Sequence, residues 1–339
     1  MRTVLVDADV LGRRRTGDET YVLNLLRQLG RLADDLRVVA VTRHPDLVPD
    51  CVEPLLLRAR SQELRMAVQM PLLLRRVRPA LAHFQHSLPL RCLCPAVVTV
   101  HDLSFARDPS LMGPVDRVVF RTMVPRSARR AARILAVSER TRADLVELYG
   151  IPEAKIVVTP NGVDPAFTPS GDVQLRPYVL FVGAIQARKN PLAALAAAEA
   201  VGLPLVVVGP EKEPRLAAAL RAGGADLRGY VEQEQLAWLY RGAAALVLPS
   251  RFEGFGLPVL EAMACGTPVV AAPDPALREV AGDAALYAEP AELGEAVRRA
   301  LEQRDRLVAA GLERARLFSW EETARRTLAV YRELLGSGR

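Results

Sequence analysis

The sequence predicts an α/β protein of two domains built on parallel strands, and three observations carry that expectation. Short runs of β-branched and aliphatic residues, such as 96–100 (AVVTV), 205–208 (LVVV) and 244–248 (AALVL), alternate with longer segments of helical periodicity. The chain has 339 residues, half of them hydrophobic and without a low-complexity tract, which is enough for two separate cores. Proline and glycine concentrate at Pro160, Gly162, Pro165, Pro169, Gly171 and Pro177, which marks a boundary between a first domain, residues 1–168, and a second, 169–319.

In chain order, residues 3–6 read as the first core strand. A loop, LGRRRTGDET, follows and leads to a helix over residues 21–29. Gly12 and Gly17 in that loop allow close backbone approach to a phosphate, although the G-x-G-x-x-G spacing of a dinucleotide fingerprint is absent and a plain polar loop fits as well. Asp18 and Glu19 would repel an anionic ligand, so they are expected to face solvent or a second substrate. Strands are expected at 37–41, 79–84 and 96–100, the last running into His101-Asp102-Leu103. A polar cluster just past the carboxyl end of a parallel strand sits where α/β sheets bind ligands. His83, His86, His101 and Asp102 match no metal motif, and no metal is expected. A strand at 134–137 meets Ser138, the N-cap of a helix ending at Gly150, and residues 155–158 form one more strand.

The second domain opens with a strand at 178–182 and then Gly183-Ala184-Ile185-Gln186-Ala187-Arg188-Lys189-Asn190, ahead of an alanine-rich helix. Two adjacent cations before a helix start suit a diphosphate, arginine as a bidentate fork and lysine as a point charge; a solvated loop pair is the plain alternative. A strand follows at 205–208, then a short strand and turn over 227–231 that holds Tyr230 and Val231. Residues 244–272 read as strand, loop from Pro249, helix over 256–264 and strand, a parallel crossover unit. Glu253 and Glu261 stand at either end of its turn, roughly 12 Å apart if all helical. Between them Gly254, Phe255, Gly256 and Leu257 lead into a helix N-terminus whose N–H groups and dipole suit a phosphate. A capped amphipathic helix is expected from residue 320 to 336.

Composition narrows the function classes. The first 170 residues hold 25 Arg+Lys against 18 Asp+Glu, part of this charge lying in two helix-like segments, 58–78 and 117–133. A solvated arginine face is the plain reading and attraction to anionic lipid the functional one; nucleic acid lacks any accompanying motif. The N-terminus lacks signal-peptide character and no long apolar run exists, so a cytoplasmic protein is expected. Cys51, Cys92, Cys94 and Cys265 fit neither a disulfide framework nor usual zinc spacing and read as reduced thiols.

The run E-G-F-G-L-P-V-L-E with A-M-A-C-G-T-P-V-V resembles the two-glutamate signature of retaining family-four glycosyltransferases, and V-V-T-V-H-D-L, V-S-E-x-T, P-N-G-V-D and G-x-x-x-x-R-K-N extend the likeness over nearly the whole chain. The resemblance implies the GT-B fold: two Rossmann-like parallel-sheet domains facing a central cleft, with the last helix crossing back to the first domain. It implies a nucleotide-sugar donor held by Gly17, Gly183, Arg188, Lys189, Tyr230, Val231, Glu253, Gly254, Phe255, Gly256, Leu257 and Glu261. It assigns Glu253 to the transferred sugar, Glu261 to the ribose, Arg188 and Lys189 to the diphosphate, and His101 to the sugar from the opposite domain. His86 and Asp102 are acceptor-side candidates. Family members carry G-G-x-x-R or G-I-G-R-Y in the first loop, where this chain reads Thr16-Gly17-Asp18-Glu19-Thr20.

The implied activity is metal-independent, retaining hexosyl transfer to a glycan or lipid-linked acceptor. No cofactor is implied beyond the donor substrate, with a lean to GDP-mannose and UDP-glucose close behind. A nucleotide-sugar epimerase of the same fold and a non-catalytic nucleotide- or glycan-binding protein are the alternatives; product anomeric chemistry, or donor binding without turnover, would single them out.

Overall fold

The computed structural model describes all residues except 14–15, 60, 109–113, 173–176 and 337–339, and all of their side chains except those of 16 and 114–120. Arg117, counted above in the basic segment, lies outside the described side chains, as does residue 60. Two compact units emerge, residues 1–162 with 320–339, and residues 163–319. Residues 163–168, read above with the first domain, belong to the second unit, where Phe167 packs edge-on against Tyr240 at 5.8 Å between ring centroids.

The first unit holds seven parallel strands: β1 Arg2–Asp7, β2 Leu36–Thr42, β3 Glu53–Leu56, β4 Leu81–Gln85, β5 Ala96–Val100, β6 Arg133–Ala136 and β7 Ile156–Val158. Their order is β3-β2-β1-β4-β5-β6-β7. The second unit holds six: β8 Val179–Val182, β9 Leu205–Val208, β10 Asp226–Gly229, β11 Ala245–Leu248, β12 Val269–Ala271 and β13 Ala285–Tyr287, in the order β10-β9-β8-β11-β12-β13. Strands of unbroken apolar sequence are buried on both faces, as parallel sheets under two helical layers require. In each unit the strand order reverses once, between β1 and β4 and between β8 and β11. Crevices at such reversals, past the carboxyl ends of the strands, are where ligands enter doubly wound sheets.

The helix expected at 21–29 runs Thr16–Leu32. Its first turn carries Asp18 and Glu19, whose charge suits the positive dipole end; that same polarity hid the turn in a loop reading. Glu19 accepts the Gly12 N–H at 2.6 Å, which ties Gly12 to the first helical turn. Ser138 caps the helix Glu139–Tyr149 by accepting the Thr141 N–H, and Gly150 ends it in the left-handed conformation. The last helix, Trp320–Gly336, packs on Thr16–Leu32, as the fold implies. It is pinned by Thr323, whose hydroxyl donates to the Pro160 carbonyl at 2.5 Å, and by Arg332 to Asp35 at 2.8 Å. Among the described residues no helix is long and apolar enough to cross a membrane.

Candidate active site

The second unit brings two loops together at its β8/β11 reversal. After β8 the chain turns at Gly183, beside which Gly209 must lack a side chain: a Cβ there would lie 2.1 Å from the Gly183 carbonyl oxygen. The turn Ala187–Lys189 then presents both cations, and Asn190, in the left-handed region at φ 51°, begins the helix Pro191–Ala200. After β11 the loop 249–256 ends at Gly256. Its φ is 109°, and a Cβ on it would stand 2.6 Å from the Leu277 side chain, so glycine is the only comfortable residue there. Three bonds join the loops. The Arg251 N–H donates to the Arg188 carbonyl at 2.9 Å, the Arg188 guanidinium to the Phe252 carbonyl at 2.6 Å, and the Lys189 ammonium to Glu253 Oε1 at 2.5 Å.

Glu253 is buried, which alone would raise its pKa, yet the charges of Lys189 and Arg188 and the Lys189 hydrogen bond outweigh burial and hold it below the usual carboxylate range. Its backbone N–H reaches Asp274 Oδ2 at 3.4 Å, while Asp274 Oδ1 caps the helix Pro275–Ala281 through the Ala276 N–H at 2.9 Å. At the start of the helix Leu257–Ala264, Val259 and Leu260 donate to the Gly256 carbonyl and Pro258 has no N–H. The phosphate-binding potential of that terminus therefore rests on Gly256 and Leu257, fewer donors than an open helix start offers.

Glu261 sits in a different environment. Burial pushes its carboxyl up to about 7, against a lowering hydrogen bond from Tyr240, with Asp164 adding to the rise. The Tyr240 hydroxyl donates to Oε2 at 2.9 Å, and among the described residues no donor is bonded to Oε1. Tyr240 is itself fixed: fully buried, with its carbonyl accepting the Thr267 hydroxyl at 2.6 Å. Of the remaining donor-side candidates, Gly254 and Phe255 are buried, Phe255 edge-on to Phe318 at 5.9 Å; Leu257 and Val231 are half-buried and Tyr230 is exposed.

The first unit collects a second group of candidates at its β1/β4 reversal. His101 Nε2 lies 2.8 Å from Gln85 Oε1, and its ring packs edge-on against Tyr21 at 4.8 Å and beside His86 at 5.1 Å. Burial lowers the His101 pKa to about 4 despite the nearby Asp18 charge, so the ring is neutral at physiological pH. His86 holds the left-handed region at φ 57°, its Nε2 4.0 Å from Asp18. Gly17 lies exposed in the first helical turn one residue before Asp18. Asp102 accepts the Ser104 N–H at 3.0 Å and hydroxyl at 2.8 Å, a local turn two residues on. His83 is fully buried with Nδ1 2.6 Å from the Tyr331 hydroxyl and Nε2 2.7 Å from Thr99, so neither nitrogen is open to a ligand.

Asp18, His86 and His101 offer one donor atom each within 4.8 Å of one another. Bonds of about 2.0–2.1 Å in a tetrahedral zinc site set its ligand atoms roughly 3.3 Å apart, so this trio is looser than such a site. The other acidic pair at this sheet end, Asp7 and Asp9, is neutralised by arginine. Arg65 reaches Asp7 at 2.6 Å and Arg43 reaches Asp9 at 2.7 Å, with Arg13 also on Asp9. Sequence reading found neither this clamp nor Tyr240, Asp274 and Gln85; each is an ordinary polar residue whose partner at the site lies at least 16 positions away in the chain.

Comparison with known proteins agrees with this architecture. The family model for glycosyl transferases group 1 matches residues 167–316, and that for glycosyltransferase family 4 matches residues 15–167. The O-antigen chain mannosyltransferase B of Escherichia coli is 32% identical over 269 residues, covering 70% of each chain. A D-inositol 3-phosphate glycosyltransferase of Frankia alni is 37% identical over 244 residues, 60% of each chain, so this chain spans about three fifths of that relative's length. The sucrose-phosphate synthase of Thermosynechococcus elongatus superposes with a TM-score of 0.83 at 22% identity, covering 100% of both chains, a likeness of fold. With its two Rossmann-like sheets and its match to both halves of the family, the chain belongs to the family-four glycosyltransferases of the GT-B fold.

Proposed function

We propose that the protein transfers a hexose, with retention of configuration, from a nucleotide-diphosphate sugar to a glycan or lipid-linked acceptor. The observation that carries this reading is the Arg188/Lys189 pair held against ionised Glu253 beside the helix start at Gly256. Negative charge grows on the departing nucleotide diphosphate, and two fixed cations with the helix dipole stabilise it, the role a metal ion fills elsewhere. The ammonium has three protons to donate, so Lys189 can serve Glu253 and a phosphate oxygen together. Glu253 orients the sugar hydroxyls and Glu261 accepts from the ribose hydroxyls through Oε1. His101, neutral and held by Gln85, is the sugar-facing residue of the first domain, with His86 on the acceptor side.

In this reading residues 163–319 hold the donor, and residues 1–162 with the helix 320–336 serve the acceptor in the cytoplasm. The E. coli relative's name supports a mannosyl donor, hence GDP-mannose, and an acceptor in envelope polysaccharide synthesis. The test is release of nucleoside diphosphate from GDP-mannose, UDP-glucose and ADP-glucose in the presence of lipid-linked glycan acceptors. Acceptor-dependent release from GDP-mannose with an α-linked product is expected. Release from none of the three donors, or an inverted product, contradicts the proposal.

A further inference from the structure

Asp18, His86 and His101 converge at the carboxyl end of the first unit's sheet, where the strand order reverses between β1 and β4. Each comes from a different segment: the first turn of the helix Thr16–Leu32, the residue after β4 and the residue after β5. One carboxylate oxygen and one ring nitrogen of each histidine lie within 4.8 Å of one another, a spacing wider than a tetrahedral metal site sets. It suits a different occupant. An oxygen hydrogen-bonded at about 2.8 Å to three groups in tetrahedral directions holds them roughly 4.6 Å apart. His86 Nε2 stands 4.0 Å from Asp18 Oδ2, beyond a direct hydrogen bond and wide enough for one oxygen to bridge.

His86 takes a strained backbone to stand here. It holds the left-handed region at φ 57° while its N–H is tied to the Thr99 carbonyl at 2.8 Å, and its Nδ1 is buried with no hydrogen-bond partner among the described residues. Both side chains of the bridged pair keep a solvent face, 21% for His86 and 37% for Asp18. Charge selects the kind of oxygen. Burial keeps His101 neutral, and the arginines of this sheet end are committed elsewhere, Arg65 to Asp7 and both Arg13 and Arg43 to Asp9. From residue 16 to residue 26 the chain has no basic side chain. A phosphate or carboxylate oxygen would meet like charge at Asp18, whereas a hydroxyl donates its proton to Asp18 and accepts one from His86.

We propose that Asp18 and His86, with His101 beside them, hold one hydroxyl of the acceptor, so that an uncharged sugar ring and not a sugar phosphate occupies this end of the first unit. Asp18 is then the residue that sets acceptor specificity. The proposal rests on the glycosyl-transfer reading above and adds to it the chemistry of the bound end of the acceptor.

Saturation-transfer NMR of the full chain with the methyl α-glycosides of mannose, glucose and galactose tests it without turnover. At least one of the three is expected to bind wild type, equally with magnesium or chelator, and its phosphorylated form to bind no more tightly. Asp18→Ala should weaken that binding at least tenfold and Asp18→Asn, which keeps an accepting oxygen, by less. His86→Asn, in which asparagine tolerates the left-handed backbone, should also weaken it. Unchanged circular dichroism and an unchanged response to nucleotide would separate these effects from loss of the fold. In the nucleotide-release assay the same variants should raise the acceptor KM by the factor seen in binding. Binding of none of the three glycosides, binding that Asp18→Ala leaves intact, binding that a chelator abolishes, or a phosphorylated form that binds more tightly than its parent would overturn the proposal. Glycoside binding that depends on Asp18, beside a failed nucleotide-release assay, would count against the donor reading alone.

Discussion

Glu253 and Glu261 lie eight positions apart, yet their neighbours drive their proton affinities in opposite directions. Lysine holds Glu253 ionised, while burial holds Glu261 near neutrality, up to about 7. In the proposed ribose role, hydroxyls donate more strongly to a carboxylate than to a neutral carboxyl, so donor affinity should strengthen as pH rises from about 6 to 8, with the midpoint near the Glu261 pKa. Tyr240→Phe removes the hydrogen bond that lowers this pKa. It should therefore move the affinity profile to higher pH and weaken donor binding about tenfold at neutral pH, a hydrogen bond to a charged group contributing about 1.5–3 kcal/mol. Isothermal titration with nucleoside diphosphate across pH checks both, and Glu261→Gln should flatten the profile. The stability sign is the reverse. A carboxyl whose pKa is raised on folding supports the fold fully below its unfolded value, near 4.5, and that support fades as pH rises through about 7. The glutamates were legible as a motif in the sequence. Their electrostatic division was not, because Lys189 lies 64 positions from Glu253 and Tyr240 lies on another helix.

Among elements, the turn into Leu257–Ala264 is tightly constrained. Gly256→Ala should cost about 1–2 kcal/mol from its left-handed backbone alone, with more from the Leu277 side chain it would strike. Urea unfolding should show Gly256→Ala costing less in a Leu277→Ala background than in the wild type, whereas no cost at all in that background would mean that the backbone angle is harmless. Strand and helix positions around this turn were readable from apolar runs and punctuation, down to β5 at Ala96–Val100 and β9 at Leu205–Val208. The start of Thr16–Leu32 was not, since its first turn is polar. Nor was β3, an edge strand of four residues with mostly exposed side chains, whose sequence Glu-Pro-Leu-Leu carries no periodic signal.

At the scale of the molecule, the parallel order of each sheet decides which loops meet, and the terminal helix decides how the first unit closes. Tyr331 reaches His83 across 248 positions, and His83 continues through Thr99 to Tyr21, against which His101 packs. Tyr331→Phe should leave the buried His83 Nδ1 short of a partner and destabilise the chain by about 1–3 kcal/mol, read by chemical denaturation, while nucleotide affinity stays unchanged. A loss of nucleotide affinity in that variant would contradict the assignment of donor binding to the second unit. The two-domain plan was legible from length, alternation and the proline-glycine boundary. The helix returning to the first unit was foreseen only through family resemblance, since no local pattern announces where a terminal helix packs.

In the proposed function Arg188 and Lys189 bind the donor diphosphate without a metal. The direct measurement is a thermal-shift panel of GDP, UDP, ADP and TDP, each with magnesium and with a chelator, on wild type, Lys189→Ala and Lys189→Ala/Glu253→Gln. Lys189→Ala alone leaves Glu253 buried without its counter-charge, a loss of about 3–5 kcal/mol, which the second substitution should partly restore. A ligand at about a hundredfold above its Kd adds about 2.7 kcal/mol to stability, enough for a clear rise in melting temperature. GDP should raise the wild-type midpoint equally with magnesium or chelator and raise neither variant. A shift that requires magnesium, a shift that persists in both variants, or none at millimolar nucleotide would contradict it.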